Sequence, residues 1–169
     1  VKALARRGCE ITVVHDIDAF RTLRGPAPKT MPPETANVRV IGLESRVPVV
    51  SNFLTHQLGR PIAHGGQIDQ ILSEGAFDVI WHNNVSLVGG PGLLKKGDAL
   101  KVYEAHEHWL VCPTHVLWKN GERACDRPTC LTCCLRSRRP PQLWRYGDAL
   151  PRALAHVDVL LAPSRWSAR

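Results

Sequence analysis

No apolar run in this chain approaches the roughly 20 residues that a helix needs to cross a bilayer, so no membrane span is expected. The opening residues, VKALARRG, lack the parts of a secretory leader and read as the end of an amphipathic helix stopped by Gly8. There is no internal repeat and no low-complexity tract. A GxGxxG phosphate-binding fingerprint is missing too, since Gly89-Gly90-Pro91-Gly92 does not match it, and this argues against a dinucleotide-dependent oxidoreductase.

What is present fits one globular domain with a real core: 169 residues, 44% hydrophobic and 22% charged. Five apolar, β-rich runs are the expected strands: Glu10 to Asp16, Asn37 to Leu43, Phe77 to Trp81, Ala99 to Ala105 and Val157 to Ala162. Helices are expected over Val47 to Leu58, Ile68 to Gly75 and Gln142 to His156, the last broken at Pro151. Residues 24–36 read as a proline-rich loop, and the glycines around Pro91 as a flexible turn. Nearly continuous apolar strands separated by crossovers predict an α/β fold with a doubly wound parallel sheet covered on both faces. The chain opens mid-helix and stops just after the strand-like DVLLAPS, so a longer protein is expected, with a further strand before it and a further domain after it.

Ligands of such sheets bind outside the carboxyl ends of the strands. Here those ends carry His15-Asp16, His82-Asn83-Asn84 and His106-Glu107-His108. A sheet that is only structural has no need of three histidine-bearing strand ends. Single members of such a set are more often solvated loop residues, so the set matters more than any one of them.

Between Leu100 and Arg145 the chain gathers five of its six cysteines. Cys125, Cys130 and Cys133 follow a CxxxxCxxC spacing, with Cys112 upstream, and four thiolates in a short span suit tetrahedral zinc. His115 or Cys134 could replace one ligand. A disulfide, independent buried thiols and a four-cysteine iron–sulfur cluster are the competing readings. Cys9, just ahead of a strand, is expected in the core. The segment from Lys119 to Arg145 carries seven positive and two negative residues, hence +5 of the chain's formal +7. Such a patch suits phosphates, anionic lipid headgroups or nucleic acid. It would also offset the −2 of a four-thiolate zinc centre.

A zinc deaminase is excluded by spacing: His106 is directly followed by Glu107, and Pro128 stands one residue too far from Cys130. A zinc-ribbon nucleic-acid module remains the alternative, with Trp109, Trp118 and Trp144 as stacking platforms. Against it, the cysteines are embedded in an α/β pattern.

The motifs ARRGCEITVVHD, GAFDVIWHNNVSLVGGPGLL, AHEHWLVCPTHVLW, the CxxxxCxxC that follows and HVDVLLAPSRWSA occur in this order across nearly the whole chain. In that set the chain resembles the N-terminal domain of a retaining glycosyltransferase of family 4, one half of a GT-B fold. The resemblance implies an enzyme that moves a sugar from a nucleotide-sugar donor to an acceptor, with this half shaping the acceptor side over residues 1–169. Residues 112–134 would form a cysteine-rich insertion within it. It implies that His106, ending the fourth strand, lies close to the transferred sugar, and that His82, Asn83 and Asn84 face the acceptor. Glu107 is a second-rank substrate-binding candidate that could orient His106. Cys112, Cys125, Cys130 and Cys133 are the expected ligands of a structural zinc. The nucleotide would be gripped mainly by the further C-terminal domain, so this half alone is expected to be inactive. The acceptor would be a sugar, a lipid or another small molecule. Nucleic acid is not the expected partner, and the expected place is the cytoplasm, peripheral at an anionic membrane surface.

Overall fold

The computed structural model describes residues 1–25 and 36–165. Most of the expected proline-rich loop, and residues 166–169, lie outside them.

All five anticipated strands form, with ends shifted by up to two residues: the third runs on to His82 and the last is three residues shorter than expected. A short helix α1 (Lys2–Ala5) leads to β1 (Ile11–Asp16), and α2 (Ile17–Arg24) follows without a linker. That helix is not evident from hydrophobic periodicity. It is started by Asp16, whose carboxylate accepts from the backbone N–H of Ala19 at 2.9 Å. Next come β2 (Val38–Leu43), α3 (Pro48–Leu58) and α4 (Gly65–Gly75). Pro48 opens α3 where its missing N–H costs nothing, and Gly59, in a left-handed conformation at φ 64°, closes it. Strands β3 (Val79–His82) and β4 (Leu100–Glu104) flank a 3₁₀ turn over Gly90–Lys95.

That turn corrects the expectation of a flexible glycine loop. Gly90, Pro91 and Leu94 are buried, and the N–H of Gly92 donates to the Gly59 carbonyl at 2.7 Å. A Cβ on Gly90, at φ 54°, would stand 2.8 Å from the Gly59 Cα. The glycines are there because two backbones touch.

After β4 the chain makes a 3₁₀ turn (His108–Leu110), an antiparallel hairpin of β5 (Trp118–Lys119) and β6 (Arg123–Ala124), and α5 (Cys130–Arg136). The hairpin escapes the sequence because its strands are two residues long. Then come a 3₁₀ turn (Leu143–Tyr146), α6 (Ala149–Leu154) and β7 (Val159–Leu161). Pro151 does not break α6, contrary to expectation: it lies in the first turn, where its N–H would have no intrahelical partner.

The architecture is Rossmann-like α/β, but the parallel strands form two small sheets rather than one. β1 pairs with β2, and β3-β4-β7 form the second sheet. β1 and β3 do not pair. Between them lies a groove lined by Thr12 and Val14 on one side, Val79 and Trp81 on the other, with Ile68 and Leu72 of α4 beneath.

The main apolar core packs on the second sheet: Val85, Leu94, Tyr103, Ala105, Trp109, Trp144 and Ala153. Trp109 is 1% exposed, and its ring centroid lies 5.4 Å from that of Trp144. Burying two such rings contributes several kcal/mol, on the order of 2–3 each. The first sheet is packed differently. Besides Leu43, its buried residues, from the end of β1 through α2 and α3 to the start of α4, include Asp16, Asp18, Ser51, Asn52, Thr55 and His64. Correspondingly, α3 turns Val49, Val50 and Phe53 outward. Cys9, expected inside, is exposed, because it sits in the turn ahead of β1 and outside both packed layers. Among the described residues no helix is long and apolar enough to cross a membrane.

Candidate functional site

Parallel pairing of β3 with β4 sets His82 beside Tyr103. The residues that follow each strand therefore emerge at one carboxyl edge. There they interlock. Nε2 of His106 lies 3.1 Å from the Asn83 side-chain oxygen. The Asn84 amide donates to Glu107 Oε1 at 3.3 Å, and one step below the Trp81 indole N–H donates to Glu104 Oε2 at 3.0 Å. Each pair is 23 residues apart, so the bonds form a ladder whose rungs follow from strand register.

Nε2 of His106 also lies 3.5 Å from Glu104 Oε1. Both its neighbours are oxygen acceptors, so they select the tautomer with its proton on Nε2 and its lone pair on Nδ1. The His106 side chain is 53% exposed, open to a ligand.

Glu107 does not orient His106. Its Oε1 sits 2.7 Å from Nδ1 of His115 and also accepts from Asn84. Successive side chains on an extended segment point apart, which sends Glu107 away from its neighbour. His115, weighed from sequence only as a metal ligand, thus joins the ladder. Glu104 and Trp81 join it as well. The signal for Glu104 and Trp81 was the strand register, and for His115 the turn that folds it back on Glu107; spacing along the chain reveals neither. His108 begins a 3₁₀ turn, half-buried, and makes no rung.

His82 differs from its neighbours. It is 6% exposed and reaches inward, and burial, helped by the nearby Lys101 charge, lowers its pKa from 6.5 to about 4. It is a neutral imidazole lining the groove between the sheets. Tyr103, also inward, is pushed up to about 12 by burial and by the Glu107 charge.

All six cysteines are free thiols. Cys112 is buried with its sulfur 3.2 Å from the Thr114 hydroxyl. Burial alone would raise this thiol, but hydrogen bonds from the Thr114 side chain and the backbone amides of Leu117, Thr114 and Val116 outweigh it and lower it. The turn is shaped for a thiolate. Cys130 and Cys133 sit one turn apart on the same face of α5. Cys130 is raised by burial and then by the charges of Cys112, Cys125 and Cys133, so the other three expected ligands lie near enough to act on it electrostatically. Among the described residues their sulfurs are not drawn within 4.8 Å of one another, as the side chains of Asp16, Asp18 and His64 are.

Beside them Arg145 is half-buried and turned into the protein rather than displayed with the other cations of the basic patch. Its guanidinium donates to the carbonyls of Trp109 and Leu110 and lies 4.3 Å over the Trp144 ring. Burial lowers its pKa to about 10 against the opposing charges of Cys112, Cys130 and Cys134. Lys119 pairs with Asp126, and Arg136 with Glu122.

A family model described as Glycosyltransferase Family 4 matches residues 1–169. The chain belongs to that family. No curated protein and no solved structure matches it. Membership makes a glycosyltransferase-type enzyme of the chain. The alternative of a nucleic-acid module finds no support, because Trp109 and Trp144 are core residues. Of the three tryptophans it needed, Trp118 is exposed.

Proposed function

We propose that this chain is the acceptor-side half of a GT-B enzyme that transfers a hexosyl group from a nucleotide-sugar with retention of anomeric configuration. The observation that carries the reading is the ladder at the carboxyl edge of β3 and β4, in a chain of family 4. His106 is the residue assigned to the reacting sugar. Asn83 and Glu104 hold its Nε2–H, and its Nδ1 lone pair accepts a sugar hydroxyl. As charge grows on the ring during departure of the nucleotide phosphate, an acceptor fixed in place stabilises it without reorganising. Asn84 and Glu107 supply the polar contacts for the acceptor. His82 shapes the floor as an uncharged group.

A structural zinc on Cys112, Cys125, Cys130 and Cys133 fits the donor set: four thiols around one helix face and one amide-lined turn. Zinc there would fix the segment between β4 and α6 and take no part in transfer. An anionic membrane surface fits the outward Val49, Val50 and Phe53 of α3, which are flanked by Arg46 and Arg60.

The test is the complete enzyme offered a panel of nucleotide-sugars, with nucleotide release and product anomer read by NMR. A transferred sugar of unchanged anomeric configuration is expected. Inversion would overturn the mechanism, and binding of nucleotide-sugars without any turnover on any acceptor would overturn the assignment.

A further inference from the structure

Away from the ladder, at the carboxyl end of β1, three ionisable side chains face one another inside the protein. They are Asp16, Asp18 and His64, with side chains 3%, 1% and 2% exposed. Nε2 of His64 lies 3.4 Å from Asp18 Oδ2 and 3.8 Å from Asp16 Oδ1, yet makes no hydrogen bond. The nearer carboxylate oxygens are each anchored by backbone: Asp16 Oδ1 accepts from Ala19 N–H, and Asp18 Oδ2 from Ser45 N–H. The other two oxygens, Asp16 Oδ2 and Asp18 Oδ1, are buried with no partner. So three converging donor atoms are aimed at each other in a site closed to solvent.

Charge decides what such a site wants. Two buried carboxylates carry −2, and an isolated buried charge is costly unless paired. The charges felt by Asp16 come from His64 and Asp18, with no lysine or arginine among them. A protonated His64 would leave −1 uncompensated. A divalent cation beside a neutral imidazole brings the site to zero. The separations suit it as well, since donors about 2.1 Å from one ion lie roughly 3–4 Å from one another. Two carboxylate oxygens and an imidazole nitrogen form a mixed hard and borderline set. That set selects a first-row divalent ion rather than calcium or a thiolate-seeking metal.

We infer that Asp16, Asp18 and His64 bind a divalent transition-metal cation that pins the end of β1 and the first turn of α2 to the start of α4. The inference is independent of the transferase reading and of the cysteine centre. It gives Asp16 Oδ1 two roles, accepting the Ala19 N–H that starts α2 with one lone pair and facing the ion with the other. It also accounts for the polar packing of this corner, where Ser51, Asn52 and Thr55 are buried around the same elements.

The probe is Mn²⁺, because it disfavours the thiolates of the cysteine segment. Metal-stripped protein titrated with Mn²⁺ should take up one ion per chain and gain several degrees in Tm. Spin-echo spectroscopy of that complex should show one directly bound imidazole nitrogen. Asp18→Asn and His64→Gln, both near-isosteric, should weaken Mn²⁺ binding at least about tenfold, whereas Cys130→Ser should leave it unchanged. The spectroscopic reading is made on the wild-type protein, so it stands even where a variant folds poorly. Absence of Mn²⁺ uptake by the wild-type protein, absence of the nitrogen signal, or loss of binding in Cys130→Ser alone would each overturn the assignment.

Discussion

His106 and Asn83 are 23 residues apart in sequence and 3.1 Å apart in space, one at the end of each of two paired strands. Neither is fixed by its own loop. Strand register holds the asparagine oxygen against the imidazole and so selects which ring nitrogen carries the proton.

The contact can be weighed by deletion. His106→Ala is expected to lower turnover of the complete enzyme about a hundredfold, a loss of ~3 kcal/mol of transition-state stabilisation. Asn83→Ala, which frees the ring to rotate and exchange tautomers, should cost about tenfold, mostly in kcat. Because His106 is exposed, neither change should alter Tm by more than a degree or two, and His108→Ala should have little effect on either measure. Steady-state kinetics beside thermal melts check all three. Full activity in His106→Ala would remove the residue from the site.

His82 gives the protein an acid-sensitive spot. In the unfolded chain its imidazole titrates near 6.5, whereas in the fold burial holds it at about 4. The folded state therefore binds fewer protons between those values, and stability falls as pH drops from 6.5 towards 4. Above 6.5 there is no penalty, and below 4 it stops growing. The full effect is about 3 kcal/mol. Tm measured against pH should show this slope in the wild-type protein and a shallower one in His82→Gln. Identical slopes would place the sensitivity elsewhere.

Metal analysis addresses the cysteines. Protein purified without oxygen should hold about one zinc per chain in the thiolate centre. Cys112→Ser or Cys133→Ser should release it and lower Tm, leaving the carboxylate–histidine corner intact. Six freely titratable thiols and no zinc would end the proposal.

Arg145 should behave as a core residue despite its charge. Arg145→Lys keeps the charge but loses the forked bonds to two carbonyls and the stack on Trp144. The expected cost is about 2 kcal/mol, or roughly 4–8 °C in Tm. An unchanged melting point would return Arg145 to the surface basic patch.

The strands and the polar edge were readable because buried parallel strands are long apolar runs that end abruptly in polar residues, as FDVIW does before His82 and LKVYEA before His106. The membership of the ladder was not. Whether Glu107 meets His106 or His115 depends on a backbone turn at His115, where φ is 74°, and no spacing rule gives that. The same holds for Asp16, Asp18 and His64, brought together from positions 16 to 64 by the packing of α4. Arg145 was read as one more surface cation because charge counts carry no information on burial.

The groove between the two sheets has a consequence for amide exchange. Along a parallel strand, successive residues address opposite neighbours. Ile11 N–H bonds to the Asn37 carbonyl and Leu100 N–H to that of Asp78. On β1, then, Thr12 and Val14 turn their amides away from β2. On β3, Val79 and Trp81 turn theirs away from β4. Deuterium should enter these four positions quickly, while Val13, His15 and Ile80 between them stay protected. A two-residue alternation of fast and slow sites along each of two short strands would be the solution signature of a sheet divided in the middle.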